Sequence, residues 1–366
     1  MRRLTKNSKI DEGLLAAFIT VSALGLVMIY STSSILAENK FGSDIFFLKN
    51  QIKWLILSAI VVFFIMKMDL QRLSLYSAPA LLLVIFMLCL VFLWNPVNGS
   101  QRWIKLGIIN IQPSELFKFV MIMFLAFSLS KTTRDITDLK QLLFPYTPII
   151  GIGLLLIVME PDLGTAIVIA LTAIGVFFLA GAKIKHLFMG LAPVGAGAAF
   201  MVFVLGYKKA RITDYISSIS DPLAGSYQVK QAALTLGSGG IFGMGLGDGR
   251  QKLFFLPYPH TDFIFAAIGE EVGLIGLTII LMLFFYIIYR GFKIASNQPD
   301  KFGYILASGI TLSLFLNIAI NLGVVTVLLP VTGLPLPFIS YGGSSFLISS
   351  AMIGVLLNLS RRMVRR

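Results

Sequence analysis

The sequence predicts an all-α polytopic membrane protein, a helical bundle of about ten transmembrane helices with one large extracytoplasmic loop between spans 7 and 8. Three observations carry that expectation. Of 366 residues, 57% are apolar and only 13% charged, more apolar surface than an exterior facing water can use. Apolar runs such as 14–34, 54–66, 81–94 and 263–289 meet or approach the roughly 20 residues that a spanning helix needs. They do not alternate in the short stretches that a membrane barrel requires.

The third observation is where the charge lies. The formal charge of +13 would suit nucleic acid, but its distribution excludes that partner. Arg2, Arg3, Lys6 and Lys9 precede the first run, and Arg361, Arg362, Arg365 and Arg366 follow the last. Lys67 and Arg72, then Lys131, Arg134 and Lys140, then Lys183 and Lys185, then Arg290, Lys293 and Lys301 fall in short connections. With an even number of spans all of these reach one side, as the positive-inside rule requires, so both termini are expected in the cytoplasm. The single cysteine, Cys89, sits in an apolar run and supports neither a disulfide framework nor a thiolate metal site. The first run is too long for a cleavable signal and lacks a small-residue cleavage site, so it is expected to serve as its own insertion signal.

Spans are expected near 12–34, 50–68, 76–95, 114–130, 142–159, 163–181, 186–206, 262–289, 303–329 and 338–358, in one domain covering 1–366. Most connections are short. The stretch 94–113 is longer and polar, and 207–261 is the one large loop, placed outside the cytoplasm by the topology. Loops beyond about 15 residues are usually functional or disordered. Helix-compatible residues at 226–236 and the apolar 254–256 argue against disorder throughout.

Ionisable groups within or at the ends of spans cost about 2.5–3.5 kcal/mol each at the bilayer centre, so each needs a reason. Gln112-Pro113-Ser114-Glu115 opens the fourth span, because proline suits a helix's first turn. Glu115 lies near the positive helix end with Lys118 three residues on, which reads either as a local ion pair or as an anion or sugar contact. Glu160-Pro161-Asp162 joins two spans, with a solvated turn and helix cap as the plain reading. His260-Thr261-Asp262 stands at the mouth of the eighth span. Asp262, Ala266, Gly269, Gly273 and Gly276 share one helical face, a small-residue strip that turns Asp262 into the bundle. An N-cap is the alternative for Asp262; a catalytic or coupling carboxylate is the sharper one. Glu270 and Glu271 lie roughly 12 Å deeper and imply basic partners or a water-filled cavity.

In the large loop Lys208, Lys209, Arg211, Lys230, Arg250 and Lys252 form a basic set, either simply solvated or suited to a polyanion such as pyrophosphate. Gly243-Met244-Gly245-Leu246-Gly247 follows no expected strand, so close backbone approach or a hinge is favoured over phosphate binding. Pro330, Gly333, Pro335, Pro337 and 340–345 interrupt the chain before its last span, and such backbone at membrane depth needs protein or a cavity around it. His186 and His260 are too few and too far apart in sequence to argue for zinc.

Five ordered motifs then carry a resemblance over nearly all of the transmembrane region. They are Arg102-Trp103-Ile104 with Leu106-Gly107, the Gln112–Glu115 stretch with Lys118, Pro161–Thr165, His260–Phe265 with Gly269-Glu270-Glu271, and Pro337–Ser345. With them the chain resembles the SEDS family (shape, elongation, division and sporulation proteins, including FtsW, RodA and SpoVE). Arg250-Gln251-Lys252 with Leu256-Pro257, Asp221-Pro222-Leu223 and Tyr227-Gln228 look more like its FtsW branch than RodA. Gln101, Glu160 and Tyr258 depart from the family pattern, which has glutamine at the second of these positions and glutamate at the third.

The resemblance implies a peptidoglycan glycosyltransferase of cell division in the bacterial plasma membrane. It polymerises lipid II, the undecaprenyl-pyrophosphate-linked disaccharide pentapeptide, beside a class B penicillin-binding protein and other divisome membrane proteins. It implies Asp262 as general base and Arg102, Glu115, Lys118, Arg211, Gln228, Lys252, His260 and Ser344 as substrate contacts. It specifies no cofactor, and a divalent cation that shares the pyrophosphate's charge is left open. Rival expectations are a RodA-type enzyme of cell elongation, a transporter that flips lipid II, and a scaffold without chemistry.

Overall fold

The computed structural model describes residues 9–94, 101–107, 109–131, 138–186, 209–220, 226–249, 256–257 and 259–363, with single positions 189, 195 and 206. The chain begins with α1 (Glu12–Phe41), capped by the Asp11 carboxylate on the Leu14 N–H and stopped at Gly42, φ 67°. It continues through α2 (Phe46–Lys67), the short α3 (Leu70–Ser74) and α4 (Ser77–Val91). The polar stretch 94–113 holds an antiparallel hairpin, β1 (Ile104–Leu106) and β2 (Ile109–Ile111), that hydropathy alone does not announce. Then come α5 (Pro113–Lys131), α6 (Leu139–Met159) and α7 (Leu163–Ala180). The large loop contributes α8 (Lys209–Ser220) and α9 (Tyr227–Ser238), the second where helix-compatible residues were noted. The chain closes with α10 (Ile264–Ser296), α11 (Lys301–Val325) and α12 (Gly343–Ser360).

Among the described residues seven helices are long and apolar enough to cross a membrane, and two shorter apolar helices, Ser77–Val91 and Tyr146–Met159, accompany them. These cover nine of the expected spans; the expected span 186–206 lies almost wholly outside the described residues. The chain is a multi-pass membrane protein. α12 and α11 are the most enclosed of the spanning helices, and α2 and α10 the least. α12 lies along α2, α10 along both α11 and α1, and α5 and α7 along α11. Small residues set these approaches: a Cβ on Gly354 would come within 3.2 Å of the Val62 backbone, and one on Gly25 within 2.6 Å of the Phe338 carbonyl.

Boundaries move for local reasons. α1 outruns its expected end because Ser31–Ala37 continue the helix through buried Thr32 and Ser33, whose hydroxyls bond back to Met28 and Ile29 carbonyls. α12 starts at Gly343 rather than near 338, because segment 326–342 is non-helical, with turns at 326–327 and 337–339, and folds over the mouth of α10.

One expectation needs correction. The small-residue strip was counted along a continuous helix from Asp262, but α10 is interrupted at Gly273 (φ 66°, ψ −172°). The break shifts the register, so Gly276 does not continue the face set by Ala266 and Gly269.

Candidate active site

The entrance to α10 is held by backbone carbonyls rather than by the side chains that the sequence advertises. Three consecutive ones, from His260, Thr261 and Asp262, each accept a bond from a distant part of the chain. The Tyr341 N–H donates to the first at 2.9 Å, the Ser340 hydroxyl to the second at 2.7 Å, and the Asn321 amide to the third at 2.9 Å. The same Asn321 nitrogen donates to the Leu334 carbonyl at 2.7 Å, and the Ser340 oxygen accepts from the Leu336 N–H at 2.8 Å. The proline- and glycine-rich segment before α12 is thereby a strap, pinned to α11 and to the mouth of α10 at once.

Asp262 stands on this fixed backbone, half-buried, one residue before the helix N-cap. The capping position itself belongs to Phe263, which makes no side-chain cap bond. A carboxylate oxygen of Asp262 lies 3.6 Å from where a Cβ on Gly333 would stand, and Gly333 has φ 78°. Glycine there supplies the left-handed turn and leaves room beside the carboxylate.

His260 is buried between the Phe47 ring (centroids 4.4 Å apart) and Tyr341 (5.7 Å). Burial, with the nearby Lys40 charge, pushes its imidazole down to about 4, so it is neutral at physiological pH. Burial also raises the Tyr341 phenol, against a side-chain hydrogen bond with Asn50 that lowers it.

A second polar group gathers beneath the hairpin. The Arg102 guanidinium wraps the 160–162 turn, donating to the Glu160 carbonyl at 3.5 Å and to the Pro161 carbonyl, with Asp162 at 3.7 Å. Asp162 caps α7 through the Thr165 N–H at 3.3 Å and accepts from the Gln112 amide at 3.2 Å. The cap is as the sequence suggested, but the turn is not solvated: Glu160 and Asp162 are both buried. Arg102 and the helix end offset the burial of Asp162. Among the described residues neither Glu160 carboxyl oxygen has a hydrogen-bond partner, and burial beside Asp162, only partly offset by Arg102, raises that group to about 9.

The two groups meet through the strap. A Cβ on Gly164 would lie 2.9 Å from Thr332 and 3.1 Å from Leu334, the neighbours of Gly333. Ser344 ties in the hairpin by donating to the Asn110 carbonyl at 2.7 Å and accepting from the Gln112 N–H at 3.1 Å.

The remaining expected contacts are distributed differently. Glu115 and Lys118 form a buried ion pair at 2.8 Å in the first turn of α5. Gln228 is exposed and borders a cavity of about 210 Å³ with Asp214, Tyr215, Ser226 and Pro330, which Asp262 does not line. Arg211 is on α8, its side chain outside the described atoms, and Lys252 lies outside the described residues. The sequence reading missed Asn321 and Ser340. Asn321 and Asn317, two amides one turn apart in a mostly apolar span, were the available signal for Asn321.

Fold and site define a polytopic membrane protein whose polar machinery is collected at one end of a helical bundle. The chain belongs to the FtsW/RodA/SpoVE family of cell cycle proteins, whose profile matches residues 12–364. It is 42% identical over 361 residues to stage V sporulation protein E of Bacillus subtilis (strain 168), covering 98% of each chain. It is 40% identical over 357 residues to the probable peptidoglycan glycosyltransferase FtsW of Geobacter sp. (strain M18), covering 96% of this chain and 97% of that one. Among solved structures, a chain of a peptidoglycan synthase complex that coordinates polymerization and crosslinking superposes with a TM-score of 0.79 at 27% identity, covering 96% of this chain and 98% of that one. Thermus thermophilus RodA superposes at 0.72 with 26% identity, covering 98% of each chain.

Proposed function

We propose that this chain is a peptidoglycan glycosyltransferase of the plasma membrane, with both termini cytoplasmic, that polymerises lipid II beside a class B penicillin-binding protein of the division machinery. Full-length similarity to relatives named as peptidoglycan glycosyltransferases supports the reaction. The observation that carries the site is Asp262, a half-buried carboxylate on a backbone pinned by Asn321, Ser340 and Tyr341.

In this reading the acceptor's GlcNAc 4-hydroxyl approaches Asp262, which takes its proton as the oxygen attacks C1 of the donor MurNAc. The bond from C1 to the pyrophosphate oxygen breaks, undecaprenyl pyrophosphate leaves, and the anomeric centre inverts. Negative charge on the departing pyrophosphate calls for cations. Arg102 supplies one from the turn that abuts the strap; Lys118 and Arg211 are the further candidates. His260, neutral and packed between the Phe47 and Tyr341 rings, contributes shape and backbone position rather than charge. A divalent cation that accompanies the pyrophosphate would share its oxygens with these groups.

Reconstituted polymerisation of lipid II with the crosslinking partner tests the proposal. Asp262→Asn, monodisperse and with wild-type melting, is expected to lower polymerisation by about 100-fold or more. Unchanged polymerisation in that variant removes Asp262 as base. Wild-type protein that moves lipid II across liposomes without ever joining it would mark a transporter instead.

A further inference from the structure

The interruption of α10 is filled by a distant piece of the large loop. A continuous helix would bond the Leu274 N–H to the Glu270 carbonyl and the Ile275 N–H to the Glu271 carbonyl. The turn at Gly273 separates those partners, and segment 239–246 takes all four groups. Met244 and Gly245 N–H donate to the Glu270 and Glu271 carbonyls at 2.9 and 3.0 Å. Leu274 and Ile275 N–H donate to the Gly240 and Ile241 carbonyls at 3.0 and 3.2 Å. The approach is backbone on backbone: a Cβ on Gly239 would lie 1.9 Å from the Gly269 carbonyl, and one on Gly243 2.3 Å from that of Glu271.

This segment also explains two glutamates inside a span. Glu270 and Glu271 are fully buried. On one side the Ser31 hydroxyl of α1 donates to Glu271 at 2.6 Å; on the other the Gly247 N–H donates to it at 3.1 Å. Gly249 packs so closely that a Cβ there would meet Glu270 at 2.9 Å. The loop covers both carboxylates on the side away from α1.

Its outward side chains are apolar. Phe242 is 82% exposed and Leu246 64%, with Ile241 and Met244 also exposed, and no charge occurs before Asp248. Water gives no reason for such a surface. It runs directly into the exposed Leu274, Ile275, Ile279 and Met282 of α10, on a helix apolar enough to span the bilayer. Irregular backbone at membrane depth needs protein or water to meet its polar groups. The four shared bonds, with the Gly243 N–H on the Gly239 carbonyl at 2.8 Å and the Asp248 N–H on the Gly245 carbonyl at 3.2 Å, supply part of that need.

We infer that segment 239–246 is re-entrant. It dips into the membrane leaflet on the Asp262 side, bonds its backbone into the gap in α10, and presents Ile241, Phe242, Met244 and Leu246 to lipid acyl chains. The large loop is thereby anchored in hydrocarbon beside the catalytic mouth, and Glu270 and Glu271 are sealed from lipid. The inference needs no particular reaction and stands apart from the glycosyltransferase proposal.

The test uses the full chain in lipid nanodiscs with Cys89→Ser, carrying an environment-sensitive fluorophore at Phe242→Cys or, independently, Leu246→Cys. Met282→Cys on α10 serves as the lipid-facing control and Lys105→Cys in the hairpin as the aqueous one. Each variant must elute as monodisperse protein, and the two loop sites guard against failure of either. Brominated acyl chains are expected to quench positions 242 and 246 within about twofold of position 282, and aqueous iodide at least about fivefold less than position 105. Iodide quenching equal to that of position 105, with no effect of brominated lipid, overturns the inference.

Discussion

Glu160 holds a carboxyl group in full burial, beside Asp162 and behind the Arg102 guanidinium, with no hydrogen-bond partner on either oxygen among the described residues. Folding therefore favours its neutral form and raises the group from 4.5 to about 9. Below pH 4.5 both folded and unfolded chains carry the proton. Between 4.5 and 9 only the folded chain does, so stability falls with rising pH by about 1.4 kcal/mol per unit. Glu160→Gln keeps the shape without the proton. It is expected to raise the melting temperature at pH 8 and to flatten its pH dependence, and thermal unfolding from pH 5 to 9 measures both. A variant that melts below wild type at pH 8 would show that Glu160 is ionised and bound. At this scale the sequence spoke clearly where neighbours in the chain are neighbours in space: the Glu115–Lys118 pair and the Asp162 cap were both legible. Asn321 and Ser340 were not, because their partners stand 59 and 79 residues away.

α10 shows what an element can hide. Its hydropathy reads as one long span, and Gly273 inside an apolar run looks like a packing glycine rather than a break. The cause of the break is a loop more than twenty residues upstream, and helical periodicity carries no information about it. The run of glycines did suggest close backbone approach, and the structure gives it a partner. Gly243 has φ 82°, and a Cβ there would lie 2.3 Å from the Glu271 carbonyl oxygen. Gly243→Ala would combine left-handed strain of about 1–2 kcal/mol with a backbone clash that has no flexible side chain to yield. The expected outcome is a fall in melting temperature of several degrees and faster proteolysis of the 239–249 loop. The exposed Gly247 also has positive φ, but a Cβ there would meet nothing within 4 Å among the described residues, so its change to Ala should cost only the strain.

Seen whole, the bundle is sewn at both ends by α12, its most enclosed helix. At the Asp262 end Ser344 holds the hairpin. At the opposite end the Asn358 amide donates to the carbonyls of Ile65, Met66 and Met68, which closes the exit of α2. Ser360 accepts from the Asp11 N–H at 3.0 Å, and Asp11 in turn pairs with Arg290 at the far end of α10. Arg290→Met would leave the buried Asp11 carboxylate without its partner and is expected to cost about 2–3 kcal/mol, somewhat below the usual range because Arg290 is partly exposed. Unfolding in mixed micelles measures that loss. Polymerisation per folded molecule should stay at the wild-type level, since the pair lies at the opposite end from Asp262. Hydropathy and charge placement revealed the membrane class and most spans, because the bilayer imposes one length and one polarity on every helix. Which helix lies against which was not readable, because all the faces are apolar and differ only in where small residues permit close approach.

The double grip of Asn321 carries a mechanical implication. One amide, about one turn before the end of α11, grasps the carbonyls of Asp262 and Leu334 together. Any leaning of α11 against α10 therefore drags the carboxylate and the strap in concert, and hydrophobic mismatch is a common reason for helices to lean. Bilayer thickness thus becomes a dial on the position of Asp262, and turnover measured in short-chain and long-chain phosphatidylcholine should differ for the wild type more than binding of lipid substrate does.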